Sequence, residues 1–505
     1  MTSVPDTMVS HLRMIISSLR EDGGLMSPSI YDTAQAVRFS PPRNGARQTL
    51  DWLLMQQHDD GGWGDPAAPK TRDVPTIASV LALHTFRDQV RSEEARRRGL
   101  AFLQGQAALW DEPLADDLPV GVELIMPRLL EDAEAEGLAL PTAQYSQLVP
   151  LGIRKRQQIT KLNPLAGTPP AFSWEAWGTT PDPALLDASG GVGHNPAATA
   201  YWLKLAAGRK DLAPQIAAAQ QYLERAGRAT RVGVAGVMPT AWPIDRYEQA
   251  FVLHTLLVAG LLDHPQLQDV VHPQLQDLSA ATIRADGLGF SDYFTPDGDD
   301  TAAAIATLRA AGYPSSFSSL DGFRASGHFI GYHGEFQASH SLTARAIHAM
   351  YLFDEDTAGL QEYLLKSQLA DGRWPGDKWH TSWVYATLLA VFALQQSGPR
   401  YSASLHLAID ALETYQHADG GWGPRGVSVM TDTAYAALAL YVLRESGQVN
   451  WSRLERAHHW LLENYLPFDY HLEQGWLNKQ QYTPYRIDWG FALSATMALG
   501  GIVTA

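Results

Sequence analysis

The sequence predicts an all-α protein of paired helices, arranged in one or more (α/α) barrels. Ala- and Leu-rich segments of helical length alternate with turns rich in Gly, Pro and Asp, and no comparable set of alternating strand patterns is present. Some segments are apolar all round and others are amphipathic, as inner and outer barrel helices are. The chain has 505 residues, which is enough for roughly two or three packed units.

The first predicted element is an amphipathic N-terminal helix. Residues 1–24 contain a short apolar stretch with acidic residues on both sides, and they lack the cleavage site of a signal peptide. The longest apolar stretches, 250–262 and 490–505, are shorter than the roughly 18 residues that a membrane-spanning helix needs. We therefore expect a soluble, cytoplasmic protein.

A short repeat follows several predicted helices. The pattern Gln-x-x-Asp-Gly-x-Trp occurs at Gln57-Asp60-Gly61-Trp63, Gln368-Asp371-Gly372-Trp374 and Gln416-Asp419-Gly420-Trp422, with a degenerate fourth copy at Gln474-Gly475-Trp476. The Gly can take the left-handed conformation that ends a helix. We interpret this Gln/Trp repeat as structural, with Trp packed over a helix end and Gln hydrogen-bonded to the terminal peptide groups.

Composition excludes several kinds of site. Asp and Glu outnumber Lys and Arg by 54 to 38 and the formal charge is −16, which disfavours a surface for nucleic acid. The chain has no Cys, so disulfides, thiolate zinc sites, iron–sulfur clusters and a cysteine nucleophile are excluded. The 15 Trp, 19 Tyr and 15 Phe residues indicate extensive use of aromatic surface.

The most distinctive chemical feature is a cluster of carboxylates at the start of a predicted helix, Asp297, Asp299 and Asp300. A helix N-cap is the simplest interpretation, since Asp and Thr are favoured there. A calcium loop is disfavoured because the alternating oxygen ligands and the closing Glu are missing. Crowded carboxylates can also keep one member protonated, which makes a Brønsted acid.

In this context the three carboxylates resemble the Asp-x-Asp-Asp motif of class II terpene cyclases, which protonate a prenyl chain to start its cyclisation. The Gln/Trp repeats are typical of the same superfamily, and the resemblance is closest to bacterial diterpene cyclases that retain the diphosphate, such as copalyl, tuberculosinyl or drimenyl diphosphate synthases. Further matching segments are Tyr31-Asp32-Thr33-Ala34, Leu118-Pro119-Val120-Gly121-Val122-Glu123, Pro127 to Glu131, Asn195-Pro196-Ala197-Ala198-Thr199-Ala200, Pro243-Ile244-Asp245, Asp377-Lys378-Trp379-His380 and Trp476-Leu477-Asn478-Lys479.

The resemblance implies two (α/α) barrels in the βγ arrangement. Residues 1–20 and 235–505 would form the β domain that carries the acid, and residues 21–234 would form an inserted γ domain, with the active site in the cleft between them. The implied activity is cyclisation of geranylgeranyl diphosphate to a bicyclic labdane-type diphosphate. Farnesyl diphosphate, giving a drimane-type bicycle, is the alternative substrate. The protein would be a monomer or a homodimer.

By the same resemblance Asp299 is the general acid, and Asp297 and Asp300 hold it in position and return its proton. His340 or Thr343 is a candidate hydrogen-bond partner of the motif. Aromatic faces stabilise a migrating cation, and the candidates for this role are Trp379, Trp383, Tyr385, Phe336 and Trp242.

The diphosphate would need a local group of cations. The densest group is Arg154, Lys155, Arg156 and Lys161, for which a solvated helix face is the alternative, and Lys378 and Lys479 are further candidates. The family also implies Mg²⁺, for which the candidate ligands are Asp111, Glu112 and Asp116. In this chain Ala115 occupies the position of the motif's last acid, a departure from the family pattern.

Two absences refine the expected reaction. The metal motifs of diphosphate-ionising terpene synthases are missing, so the product should keep its diphosphate. Plant ent-copalyl diphosphate synthases organise the terminating base with a His and an Asn, and here Phe172 and Thr240 align with those positions. The resemblance therefore implies a different final deprotonation.

Three other classes of protein compete with the cyclase interpretation. An (α/α)-barrel glycoside hydrolase also uses Trp platforms and paired carboxylates, but it does not account for the Asp-x-Asp-Asp context beside three repeats. A protein prenyltransferase subunit shares the barrel, but its zinc site needs Cys. A non-catalytic isoprenoid carrier would bind a prenyl chain without turnover.

Overall fold

The computed structural model describes residues 5–110, 118–162, 165–333, 335 and 338–503, and within them the secondary structure is mostly α-helical. In the first half the helices are α1 (Asp6–Ser17), α2 (Ile30–Phe39), α3 (Arg47–Met55), α4 (Asp73–Thr85), α5 (Glu93–Gly105), α6 (Val122–Ala135), α7 (Leu148–Leu162), α8 (Pro196–Ala206) and α9 (Ala213–Ala229). In the second half they are α10 (Asp245–Val258), α11 (Gln268–Ala285), α12 (Gly298–Ala310), α13 (His340–Leu352), α14 (Ala358–Ser367), α15 (Trp383–Gln395), α16 (Ser402–Tyr415), α17 (Met430–Val442), α18 (Trp451–Asn464) and α19 (Tyr485–Val503).

Six helices of the second half form a closed inner ring. In order around the ring they are α10, α12, α13, α15, α17 and α19, and α19 contacts α10 again. These helices are buried on nearly all sides, as in α15, where every residue from Val384 to Leu394 is buried. The outer helices α11, α14, α16 and α18 pack around them, and α1 lies against α19 and α11. The predicted division into apolar inner and amphipathic outer helices is therefore confirmed.

The first half forms a second ring around its own core. Its inner members are α2, α4, α6, the 3-10 segment Pro169–Ala176 and α8, which contacts α2 again. The outer helices α3, α5, α7 and α9 pack against this ring. Two short antiparallel strand pairs complete the described structure, β1 (Pro28–Ser29) with β2 (Met238–Pro239) and β3 (Trp476–Leu477) with β4 (Gln481–Tyr482). The all-α prediction is confirmed.

A buried Thr ties the turn before many inner helices to the helix itself. In each case the Thr Oγ1 accepts a backbone N–H from the preceding turn, at 2.9 to 3.1 Å. The residues are Thr76, Thr199, Thr301, Thr343, Thr387 and Thr433. Because buried backbone donors need partners, this contact fixes the turns at the N-terminal ends of the inner helices.

The Gln/Trp repeat has the structural role that the sequence predicts. Gln368 Nε2 donates to the carbonyls of Gly372 and Ser404 at 2.9 and 3.0 Å, and Trp374 Nε1 donates to Leu364 O at 2.8 Å. Gly372 has a φ of +92°, and a Cβ there would lie 2.0 Å from Leu407 O. The other two complete copies make the same contacts. The repeat therefore joins the end of one outer helix to the next.

Within the described residues, no helix is both long enough and apolar enough to cross a bilayer.

Candidate active site

The acidic motif lies at the N-terminal end of α12, inside the mouth of the six-helix ring. Asp297 is the N-cap residue, and its Oδ1 accepts the backbone N–H groups of Asp299 and Asp300 at 2.9 and 2.8 Å. Its Oδ2 lies 3.4 Å from the hydroxyl of Tyr332. These three contacts fix the Asp297 side chain at the helix end, and the predicted N-cap role belongs to this member of the motif.

Asp300 points into the protein and Asp299 points outward. Asp300 is 1% exposed, and its Oδ2 has no hydrogen-bond partner within the described structure. The Asp299 side chain keeps 17% exposure. Of the three carboxyls, Asp299 is the one that a bound molecule could reach.

An arginine from the neighbouring inner helix holds Asp299. Arg345 lies in α13, its side chain is 1% exposed, and its Nη1 forms an ion pair with Asp299 Oδ1. Its Nη2 donates to the hydroxyl of Tyr385 at 2.6 Å, and the guanidinium carbon lies 4.3 Å from the ring centroid of Phe251. Arg345 thus joins the acid to an aromatic cluster formed by other inner helices.

The pKa values of all three carboxyls are raised, mainly because the groups are buried. Burial raises the pKa of Asp297 to about 7, against the hydrogen bonds that it accepts from Asp300 and Asp299. Burial and the neighbouring charges of Asp297 and Asp299 raise the pKa of Asp300 well above its usual range. Burial also raises the pKa of Asp299, although Arg345 opposes this shift. Burial therefore shifts all three carboxyls toward the protonated form, while the charge of Arg345 favours the ionised form of Asp299.

Two loops hold the motif from outside the ring. The N–H of Thr295 donates to Gly167 O at 2.8 Å, and the N–H of Gly298 donates to Gly331 O at 2.9 Å. The Gly331 N–H in turn donates to Glu335 Oε2 at 2.8 Å. The first contact connects the loop after α7 directly to the acidic motif.

The predicted aromatic residues occupy different places. Tyr385 contacts Arg345, and Trp379 lies against Gly331, whose Cβ position would be 3.1 Å from the indole. Trp383 packs at 5.4 Å against Tyr415, with Arg373 over its ring, and Trp242 packs at 5.5 Å against Tyr222 in the first half of the chain. Phe336 lies outside the described residues. The structure brings Tyr385 and Trp379 to the acid, and it packs Trp383 and Trp242 elsewhere.

The predicted cations are mostly held by acids. Lys378 is paired with Glu335 at 2.7 Å, and Lys479 is paired with Glu175 at 2.6 Å, with both of the latter side chains at 0% exposure. On α7, Lys155 pairs with Glu123 and Arg156 with Glu131. Arg154 and Lys161 are exposed. This exposure is compatible with a solvated helix face and also with a site that binds the diphosphate.

The predicted magnesium ligands Asp111, Glu112 and Asp116 lie outside the described residues. Elsewhere in the chain, within the described ranges, no group of three His, Asp or Glu side chains has the arrangement of a metal site. In the acidic motif, Asp297 is held by backbone N–H groups and Asp299 by Arg345, which is a poor environment for a second cation.

Sequence reasoning missed Arg345 as the partner of the acid. It placed the contact on the correct helix, but His340 Nε2 bonds Pro375 O and Thr343 Oγ1 donates to Ser339 O. The available signal was a charged residue inside an otherwise apolar inner helix, because a buried arginine needs a buried acid. The helical periodicity of the sequence did not indicate which acid pairs with Arg345.

The two positions that align with the plant terminating base lie near the junction of the two rings. The Lys479 Nζ is 4.7 Å from the ring centroid of Phe172. Thr240 Oγ1 is buried and has no hydrogen-bond partner in the part of the chain that the structure describes. Neither side chain is an ionisable base, as the sequence indicates.

Comparison with known proteins points to one family. Residues 336–436 match the family described as "Squalene-hopene cyclase C-terminal domain". The chain is 44% identical to a (+)-kolavenyl diphosphate synthase of Herpetosiphon aurantiacus over 99% of both chains. It is 32% identical to an ent-copalyl diphosphate synthase of a Streptomyces species, over 92% of this chain and 90% of the relative. The fold matches the ent-copalyl diphosphate synthase from Streptomyces platensis with a TM-score of 0.79 and 27% identity, over 98% of this chain and 100% of that one.

Proposed function

This chain belongs to the bacterial class II diterpene cyclases, and we propose that it cyclises geranylgeranyl diphosphate to a bicyclic labdane-type diphosphate without releasing the diphosphate. The observation that carries this proposal is the acidic motif itself. Three carboxyls with raised pKa values lie at the mouth of a helical ring, and the outermost one is held against an aromatic cluster. This arrangement supplies a proton donor beside surfaces that tolerate a cation.

We assign proton donation to Asp299. An alkene is a very weak base, so its proton donor must be neutral, oriented and shielded from water. Burial favours the neutral form of Asp299, and Arg345 fixes the orientation of the carboxyl. Asp297 and Asp300 would restore the proton after each turnover, because their pKa values are also raised.

The carbocation that follows would be stabilised by the aromatic side chains around Arg345. Each ring face contributes roughly 0.5–2 kcal/mol to a nearby cation. The ring centroid of Tyr385 lies 5.1 Å from those of both Tyr435 and Trp476. Trp379 lies against Gly331, in the loop that bonds the N-terminal end of α12. In the proposed reaction these rings would supply apolar surface for the decalin skeleton.

The diphosphate would lie at the junction of the two rings. The exposed Arg154 and Lys161 are on α7, whose following loop bonds the motif through Gly167. Lys378 and Lys479 are already neutralised by Glu335 and Glu175, so they would serve the diphosphate less directly.

We further propose that residues 1–20 with 235–505 form the β domain and residues 21–234 the γ domain. We also propose that Asp111, Glu112 and Asp116 bind Mg²⁺ with the substrate.

Farnesyl diphosphate is the second candidate substrate, with drimenyl diphosphate as its product. None of the relatives described above is a glycoside hydrolase, and the fold matches the ent-copalyl diphosphate synthase from Streptomyces platensis over 98% of this chain. The structural and family observations therefore favour a cyclase over that alternative.

The test is incubation of the purified protein with geranylgeranyl or farnesyl diphosphate, each with Mg²⁺ or with EDTA, followed by dephosphorylation and identification of the alcohol. We expect a bicyclic C20 alcohol, to be compared with the alcohols of kolavenyl and copalyl diphosphate. EDTA should lower the rate if Mg²⁺ helps to bind the diphosphate. Failure to form a bicyclic alcohol from either substrate would refute the proposed function.

A further inference from the structure

A further buried carboxyl lies at the same end of the six-helix ring as the acidic motif. Asp488 is in the first turn of α19 and is 1% exposed. Its Oδ1 accepts hydrogen bonds from Trp476 Nε1 at 2.9 Å and from the Tyr435 hydroxyl at 3.2 Å. Its Oδ2 is buried and has no hydrogen-bond partner among the described residues. A buried oxygen in this condition needs an explanation.

Trp476 departs from the other tryptophans of the Gln/Trp repeat. Trp63, Trp374 and Trp422 each donate their Nε1 proton to a backbone carbonyl at the end of the preceding outer helix. Trp476 gives this proton to the Asp488 carboxyl instead. Its ring lies 4.8 to 5.9 Å from four aromatic side chains inside the ring, which are Tyr247, Phe251, His380 and Tyr385.

The same aromatic cluster connects Asp488 to the acid. Tyr385 lies 5.1 Å from Trp476 by ring centroids, and its hydroxyl accepts a hydrogen bond from Arg345. Arg345 pairs with Asp299. Two carboxyls, Asp299 and Asp488, therefore border one aromatic cluster from two sides, and the function assigned above uses only the first.

We propose that the Asp488 carboxylate accepts the proton whose loss ends the cyclisation, an inference that rests on the proposed function. In this step a C–H bond next to the cationic carbon breaks, its electron pair forms the new C=C bond, and the proton moves to Oδ2. Asp488 later releases this proton to solvent while Asp299 acquires one. The overall reaction remains an isomerisation and needs no further reactant.

Two features suit Asp488 to this role. The hydrogen bonds from Trp476 and Tyr435 draw charge onto Oδ1, which weakens the carboxylate as a nucleophile and disfavours an ester with the cation. Burial raises the pKa of Asp488 to about 7, so the group can both take up and release a proton near neutral pH.

The first half of the chain contains a matched control. Asp73 accepts hydrogen bonds from Trp110 Nε1 and from the Tyr145 hydroxyl, both at 2.7 Å, and burial raises its pKa to about 6. Trp110 packs at 5.1 Å against Tyr145 in the core of the other ring. Asp73 therefore has the same donors as Asp488 but lies apart from the aromatic cluster around Arg345.

The experiment compares the products of D488N, D73N, D488E and the wild type from geranylgeranyl diphosphate, with melting temperatures measured for all four. Asn keeps the Oδ1 acceptor and removes the basic oxygen. In D488N we expect continued substrate consumption, with the wild-type alkene reduced about 100-fold and replaced by isomeric alkenes or alcohols. D73N should lower the melting temperature and leave the product unchanged. If D488N does not fold, D488E, which keeps the charge and moves it, should lower the share of the wild-type alkene.

An unchanged product from a folded Asp488 variant overturns the inference, as does the same product change in D73N or a complete loss of substrate consumption in folded D488N. These outcomes differ from failure of the proposed function, in which the wild type itself forms no bicyclic product.

Discussion

Under the proposed proton donation by Asp299, two opposing effects on its carboxyl determine how well it can protonate an alkene. Burial favours its neutral form, while the charge of Arg345 favours the anion. A carboxyl that is easily ionised is the stronger acid, but less of it is protonated. Arg345 therefore sets a compromise between acid strength and the fraction of protein that carries the proton.

Replacing Arg345 with Gln tests this compromise. Without the guanidinium, the pKa of Asp299 should rise further, because burial then acts without opposition. We expect the turnover number to fall by about 100-fold, since the donor is weaker and less well oriented. The high-pH limb of the activity profile should shift to higher pH. The measurement is the turnover number as a function of pH.

Arg246→Gln is the matched control for that variant. Arg246 is also buried in an inner helix, where it pairs with Asp277 and Asp292. Its loss should reduce stability without moving the pH limb. An equal shift in both variants, or no shift in Arg345→Gln, would contradict the positioning role of Arg345.

At the level of the helices, most residues of the proposed mechanism lie at the N-terminal ends of the inner helices. Asp299 and Asp300 lie in the first turn of α12, Tyr385 in the first turn of α15 and Asp488 in the first turn of α19. The helix signals and the Gly turns were readable from the sequence because they depend on neighbouring residues. The pairing of Arg345 with Asp299 and of Trp476 with Asp488 was not readable, because these partners come from different helices whose relative rotation the helical period does not encode.

The N-terminal end of α12 should respond to pH as a protonated cap. The pKa of Asp297 is about 7 in the folded protein, whereas an unfolded Asp ionises near pH 4. Between these values the folded state binds the additional proton, so the free energy of unfolding should fall as pH rises from about 4 to about 7. Asp297→Asn keeps an N-cap side chain and removes this titration. Denaturant unfolding at both pH values should show a smaller difference in the variant, and an equal or larger difference would contradict the assignment.

At the scale of the whole molecule, the contact between the two rings depends on buried charge. Lys479, in the turn between β3 and β4, pairs with Glu175 of the other ring, and Glu175 Oε1 also accepts from the Tyr31 hydroxyl at 2.8 Å. Through family resemblance the sequence predicted two barrels with the active site between them, but not the residues that join the two rings. It assigned Lys479 to the diphosphate, and the fully buried ion pair is a contact that only the three-dimensional structure could reveal.

Replacing Lys479 with Met should destabilise the protein strongly, because it leaves the Glu175 charge buried without its partner. We expect the free energy of unfolding to fall by about 3–5 kcal/mol. The double variant with Glu175→Gln should recover part of this loss, since it removes the orphaned charge. Denaturant unfolding of the three proteins measures both effects. A double variant no more stable than Lys479→Met would show that the ion pair does not hold the rings together.

Proton donation by Asp299 is tested most directly by comparing the conversion of geranylgeranyl diphosphate by Asp299→Asn and by the wild type. Asn preserves the size of the side chain and an acceptor for Arg345, but it cannot donate the proton. We expect the wild type to form a bicyclic diphosphate. The variant should be folded, with a melting temperature within a few degrees of the wild type, and should form none. Substantial cyclisation by folded Asp299→Asn would contradict proton donation by Asp299.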